Sequence, residues 1–144
     1  MKQTVSSVLK QAQFVVDDDI YVLVKLPRQG SVFAMGIIAQ IAEPFIVFMM
    51  DSFEITLVIS HEAYANFADR LPTHTKGGNY KFVTLNVELE PDLTGLMATL
   101  AKTLAEVNVP ILPYAAYSRD HLCLPIENVE TALTALKKLQ ESLD

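Results

Sequence analysis

"LPTHTKGGNYKFVTLNVEL" spans Leu71–Leu89, and its two parts read differently. Through Asn79 the stretch is polar and interrupted by Pro72 and the pair Gly77-Gly78, residues that punctuate chains between ordered elements. A linker is expected over residues 71–79, between two apolar halves. The glycines do not form a phosphate cradle, because Lys76 precedes them and no helix-opening Lys-Ser or Lys-Thr follows. From Lys81 onward, Val83, Leu85, Val87 and Leu89 alternate with Thr84, Asn86 and Glu88. This is the period of a strand with one buried and one wet face, as in an antiparallel sheet covered on one side.

Downstream of that strand, "EPDLTGLMATLAKTLAEVN" sets Leu93, Leu96, Met97, Leu100, Leu104 and Val107 on one helical stripe, with Lys102 and Glu106 outside it. The helix is expected to begin near Thr94, with Asp92 or Thr94 as its cap. "VPILPYAAY", the tip "SRD" and "HLCLP" read as strand, turn and strand, with Pro110 and Pro113 suited to strand starts or edges. "IENVETALTALKKLQESL" closes the half as a helix carrying Val129, Ala132, Leu133, Leu136, Leu139 and Leu143. Its Lys137 and Lys138 fall near the end that favours cations.

Upstream, the same β-α-β-β-α order recurs: "IYVLVKL", the helix "AMGIIAQIAE", the strands "PFIVFMM" and "EITLVIS", and the helix "HEAYANFADRL". Aligned without gaps, Asp51-Ser52-Phe53-Glu54 lies under Tyr117-Ser118-Arg119-Asp120, so both turns carry a serine and, two residues later, an acid. An internal repeat follows. We expect units at residues 1–75 and 76–144, the first opening with a short helix through Val5, Val8 and Leu9.

Composition bounds the function. The 144 residues are 51% hydrophobic and 19% charged, with a net charge of -6 and no basic run, which argues for a folded core and against nucleic acid. No stretch reaches membrane-spanning length and the N-terminus is polar, so a cytoplasmic protein that does not engage membranes is expected. The one cysteine, Cys123, excludes an internal disulfide and a multi-cysteine zinc site. Cys123 and His121 share a strand face, but nothing supplies a third group to orient them, and a packed thiol is the simpler reading. His61 reads as a surface residue at a strand-to-helix junction, His74 lies in the linker without a pattern, and Asp17-Asp18-Asp19 reads as a solvated turn. The continuous apolar run "PFIVFMM" suits either a core or an intermolecular face.

The element order, the helix entry "PDLTGLMATLAKTLAEVNVPI" and the run "AAYSRDHLCLPIENVETALTAL" resemble the ACT domain, and within it a tandem subgroup related to amino-acid sensors. The resemblance covers residues 80–140 well and residues 14–70 loosely. It implies an α+β fold of two ferredoxin-like units, with antiparallel sheets and helices on one face. It also implies a non-enzymatic regulatory module binding a small ligand, an amino acid, at an interface between ACT units, with no cofactor or metal. A homodimer and a regulated protein partner are further implications. The alternative is an ACT-fold dimerisation or docking protein with no small ligand. Position by position, Asp120 matches the acid that meets a ligand's polar or cationic group, and Tyr117 an aromatic beside it. Thr94, Gly95 and Leu96 match the strand-to-helix loop, which Asp92 orients. Arg119 departs from the subgroup's apolar or aromatic residue, so an acidic or neutral ligand fits equally well. The loop "PRQGSVFAMG" lacks the Asp-x-x-Gly spacing of Asp92 to Gly95, and no binding residues are assigned there.

Overall fold

The computed structural model describes residues 2–143, which form two compact units: residues 19–80, and residues 2–18 together with 81–143. In chain order the elements are α1 (Val5–Gln11), β1 (Gln13–Val16), β2 (Tyr21–Leu26), α2 (Ser31–Ile38), β3 (Val47–Met50), β4 (Ile55–Ser60), α3 (His61–Phe67), β5 (Thr75–Asn86), α4 (Leu96–Ala105), β6 (Leu112–Ala115), β7 (Asp120–Pro125) and α5 (Val129–Glu141).

The unit of residues 19–80 is β2-α2-β3-β4-α3 followed by the first half of β5, in the sheet order β3-β4-β2-β5. Val22, Val24 and Leu26 alternate inward on β2, as Ile55, Leu57 and Ile59 do on β4. Ala34 and Ile37 of α2 and Ala63 of α3 close over them. Ser60 ends β4 and caps α3, its hydroxyl accepting from the Ala63 amide at 3.0 Å and donating to Glu43 at 2.8 Å. α2 begins three residues earlier than its apolar run suggests. A turn of 3-10 helix over Arg28–Gly30 leads into it, and a Cβ at Gly30 would stand 2.8 Å from the Pro72 ring.

The expected linker is where sequence and structure part. Only residues 71–74 connect; Thr75–Tyr80 is strand, paired antiparallel to β2 from Lys25↔Thr75 to Tyr21↔Tyr80. Gly77 lies beside an irregularity in this pairing, and a Cβ there would stand 3.1 Å from the Leu23 carbonyl oxygen. The glycine is a close approach of two strands, not a break. Thr75–Asn79 is exposed throughout, so no hydrophobic period marks it as a strand.

The second unit takes its strands from both ends of the chain. The second half of β5 pairs with β1, from Gln13↔Asn86 to Val16↔Val83, and the sheet order is β1-β5-β7-β6. Residues 2–18 therefore pack with residues 81–143, whereas the sequence reading grouped them with residues 19–75. The Gln140 side-chain amide donates to the Leu9 and Ala12 carbonyls at 2.8 Å each, fastening α1 to α5. Leu96, Leu100 and Leu104 of α4, Ala132 and Leu136 of α5, and Val8 and Leu9 of α1 share one core with Val83, Leu85, Leu122 and Leu124. Val107, expected on the α4 stripe, is 38% exposed, because the helix ends at Ala105 and Asn108 turns the chain at a positive φ of 58°.

If β1 is counted as the last strand of its unit, both units read β-α-β-β-α-β with antiparallel strand order 4-1-3-2. This is the ferredoxin-like arrangement, and the fold is α+β. Each unit has the fourth strand that the hydrophobic pattern alone did not reveal.

Candidate functional site

In the unit of residues 2–18 and 81–143, the loop between β5 and α4 meets the tip of the β6–β7 hairpin. The hairpin closes through the Ala116 amide donating to the Arg119 carbonyl at 2.9 Å, and the Leu89 amide donates to the Ser118 carbonyl at 2.9 Å. That second bond ties loop to tip. Gln3 braces the loop from behind: its side chain donates to the Glu88 carbonyl and accepts from the Glu90 amide, each at 2.8 Å.

Gly95 stands at the head of α4 in the left-handed region, φ 93°, which its lack of a side chain permits. It is itself the cap residue, and no side chain caps the helix. The expected capping by Asp92 or Thr94 is therefore not found. The Thr94 hydroxyl donates to the Asp92 carbonyl at 3.2 Å, and the Asp92 carboxylate pairs with Lys2 at 2.8 Å on the surface. The leading amides of α4 lack an intrahelical acceptor and carry the positive end of the helix dipole.

Loop and hairpin enclose a hollow of about 390 Å³. Of the expected site residues, Asp120, Tyr117, Gly95 and Leu96 line it, while Thr94 and Asp92 do not. Tyr117 stands on the rim, 95% exposed. Arg119 and Glu90 line the hollow too; Arg119 was visible in the sequence only as a departure from a pattern, and Glu90 carried no signal. The Arg119 guanidinium donates to the Asn86 side chain at 3.3 Å, and Arg119 and Asp120 both line the hollow. Asp120 is half-buried and accepts no hydrogen bond from the described residues. Burial raises its carboxyl above the ordinary value of 3.8, against the pull of neighbouring His121. The hollow thus offers a cation, an anion and free amides within one small apolar-walled space, which suits a ligand with charges of both signs.

His121 and Cys123 do not form a reactive pair. Thr84 Oγ1 lies 2.8 Å from His121 Nδ1, and burial pushes the imidazole below its usual range, opposed by Asp120 and reinforced by Arg119. Cys123 is fully buried, with its thiol pushed up to about 12, so it stays protonated at neutral pH. Among the described residues no cluster of three His, Cys, Asp or Glu could hold a metal ion. His61 is an exposed first residue of α3, as expected, but His74 has a structural role the sequence hid: Tyr64 Oη lies 2.8 Å from its Nε2 and the Pro72 carbonyl 2.9 Å from its Nδ1.

Two other hollows lack this convergence. The larger, about 680 Å³, is an open groove lined by α4 and α5 residues such as Thr103, Glu106 and Lys138, with no charged pair drawn together. The smaller, about 260 Å³ in the unit of residues 19–80, has Glu54 at the position equivalent to Asp120 and Lys25 at 3.9 Å from it. There the 3-10 turn precedes α2, and no left-handed glycine opens the helix head.

Against known proteins, residues 78–138 match the family model of the ACT domain. No curated protein matches the sequence. Among solved structures, a Vibrio cholerae protein of unknown function, described as a possible transport protein, superposes with a TM-score of 0.72 at 23% identity, covering 95% of this chain and 96% of that one. The alpha and beta subunits of aspartokinase give 0.69 at 13% identity over 87% and 95% of the two chains. The regulatory subunit of aspartate kinase from Thermus thermophilus gives 0.64 at 15% identity over 88% and 97%. At these identities the likeness is one of fold, and it extends over both units. Residues 78–138 are thus similar to an ACT domain, and the likeness of the whole chain to these structures is one of fold.

Proposed function

We propose that the protein is a non-enzymatic regulatory module that binds an amino acid in the hollow between the head of α4 and the β6–β7 hairpin. One observation carries the reading: Arg119 and Asp120, of opposite sign, line the same small hollow as the uncapped helix head opened by Gly95. A carboxylate placed at the α4 amides or Arg119, and an ammonium at Asp120, would each meet its complement. The backbone supplies the anion contact through Gly95 and Leu96, and Asp92 and Thr94 shape the loop from outside the hollow. The likeness of residues 78–138 to an ACT domain, and of the fold to an aspartate kinase regulatory subunit, supports a regulatory role over a catalytic one.

The interface position implied by the resemblance agrees with the open mouth of the hollow, where Tyr117 would be covered only when a second surface closes over it. The assembly in this reading is a homodimer that passes ligand occupancy to a regulated protein partner. Cytoplasmic residence accompanies the reading; among the described residues no helix is long and apolar enough to cross a membrane. The second reading, dimerisation or docking without a ligand, draws on the exposed apolar residues of α2 and β3.

A thermal-shift panel of the twenty amino acids separates the two. Binding to the native state adds about 2.7 kcal/mol at a hundredfold excess over Kd. One amino acid that raises the midpoint supports the sensor reading, and a flat panel leaves the docking reading.

A further inference from the structure

Gln3 lies 85 residues before Glu88, yet its side chain bonds the backbone on both sides of Leu89. The carboxamide donates to the Glu88 carbonyl and accepts from the Glu90 amide, each at 2.8 Å. A single group that satisfies the C=O of one residue and the N–H two positions on takes the place of a neighbouring strand. The backbone N–H of Gln3 then donates to the Glu90 carboxylate at 3.1 Å. Because Glu90 lines the hollow, Gln3 fixes one of its charges as well as the backbone behind it.

The rest of the loop is tied from other directions. The Leu89 amide is taken by the Ser118 carbonyl on the hairpin side, the Leu93 amide donates to the Glu90 carbonyl within the loop, and Pro91 has no amide to offer. The Lys2–Asp92 pair lies in water, with side chains 70% and 63% exposed, where such pairs hold little. Gln3 is itself held. Thr4, the next residue, caps α1 in a box with Ser7, and Val5 packs behind the head of α4, its Cγ2 3.7 Å from where a Gly95 Cβ would stand. At the far end of α1 the Leu9 and Ala12 carbonyls accept from Gln140. One wall of the hollow is thus bonded to a helix anchored at both ends.

We infer that Gln3 is a positioning residue for the hollow, and that occupancy of the hollow and docking of α1 strengthen each other through it. The proposal rests on the amino-acid reading for its ligand, whereas the placing of the loop by Gln3 stands apart from that reading. By linkage, whatever docked α1 adds to the affinity, a bound amino acid returns to the docking of α1. A net hydrogen bond corresponds to roughly two- to tenfold in an equilibrium constant, so losing two at an exposed site sets the expected effect at about tenfold.

The test is residue-resolved amide hydrogen exchange of the full chain for the parent, Gln3→Ala and Lys2→Ala. Each is measured with and without the amino acid that raises the midpoint most in the panel of twenty. Without it, Gln3→Ala is expected to speed exchange about tenfold at Glu90 and to leave the amides of Leu100 and Leu136, in the core helices, at parental rates. The Kd of Gln3→Ala should rise about tenfold, while Lys2→Ala stays within about twofold of the parent. In the parent the amino acid should also slow the Val8 and Ala12 amides, which donate to the Thr4 and Val8 carbonyls, and in Gln3→Ala it should not. Gln3→Asn, one methylene shorter, should behave as Gln3→Ala and serves if the alanine disturbs folding. Equal acceleration at Leu100 and Leu136 would make Gln3 a general brace and overturn the positioning role, as would parental exchange at Glu90 or a parental Kd. Lys2→Ala as damaging as Gln3→Ala would assign the hold to surface charge. A flat panel overturns the amino-acid reading and the reciprocal effect, and exchange at Glu90 then decides whether Gln3 places the loop.

Discussion

Asp120→Asn removes a carboxylate while keeping its shape, and the structure sets opposite consequences for the free and the liganded protein. In the free protein the carboxyl is half-buried, accepts no hydrogen bond from the described residues and is raised above 3.8 by burial. A raised carboxyl contributes stability that is complete below the unfolded value and is lost as pH rises through the folded value. At neutral pH the charge is therefore a cost, and the unliganded variant should be as stable as the parent or slightly more so. In the bound state the ionised carboxylate would hold an ammonium through a charge-assisted hydrogen bond of about 1.5–3 kcal/mol. Its loss corresponds to a roughly 10- to 150-fold weaker Kd. The assay is the thermal midpoint with and without the amino acid that scores in the panel, repeated from neutral pH down toward the carboxylate range. The ligand-induced rise should shrink for the parent as Asp120 protonates and stay small and flat for the variant. A variant that keeps the parental rise, or that loses stability without ligand at neutral pH, would refute the reasoning.

Gly95→Ala should cost about 1–2 kcal/mol, the strain of a left-handed backbone, since the nearest atom to an added Cβ is Val5 Cγ2 at 3.7 Å and space is not the obstacle. Urea unfolding measures it, and an unchanged midpoint would mean the loop takes another conformation. Cys123 should resist thiol reagents in the folded protein at mildly alkaline pH and react fully in denaturant, because burial holds the thiol at about 12. Rapid native labelling would show that β7 opens locally.

How far the fold was legible depended on whether an element buries one face. Val22, Val24 and Leu26 of β2 and Val83 and Leu85 of β5 recur at period two, and α4 and α5 repeat Leu100, Leu104, Ala132 and Leu136 at helical spacing, because each set lies against a core. Thr75–Asn79 buries neither face, and its glycines answer to the Leu23 backbone, a partner distant in sequence. β1 is four residues whose apolar content does not say which strand they join. In the site, the loop and hairpin bring Asp120, Tyr117, Gly95 and Leu96 to one hollow. Asp92 and Thr94 have the chemistry of caps, but the left-handed turn at Gly95 moves the cap one residue onward, and Lys2, from the far end of the unit's sequence, takes the Asp92 charge. The loop's bracing by Gln3 spans 85 residues, beyond the reach of any local pattern.

The strand that completes the C-terminal unit is written at the beginning of the chain, and this imposes an order on synthesis. Residues 19–80 have all four of their strands once Tyr80 has emerged from the ribosome, whereas α1 and β1, translated first, must wait for Lys81–Asn86 and then for Gln140, 131 residues after Leu9. At about 5–20 residues per second this leaves that N-terminal segment unpaired for several seconds. Its capping box at Thr4 and Ser7 then has a use besides stability, since it favours a local helix over β-pairing with a stranger during the wait. Ribosome-stalled chains ending before Asn86 should therefore be cleaved by protease within residues 5–16 while residues 19–80 resist, and equal resistance of both segments would show that the N-terminal one finds a partner earlier.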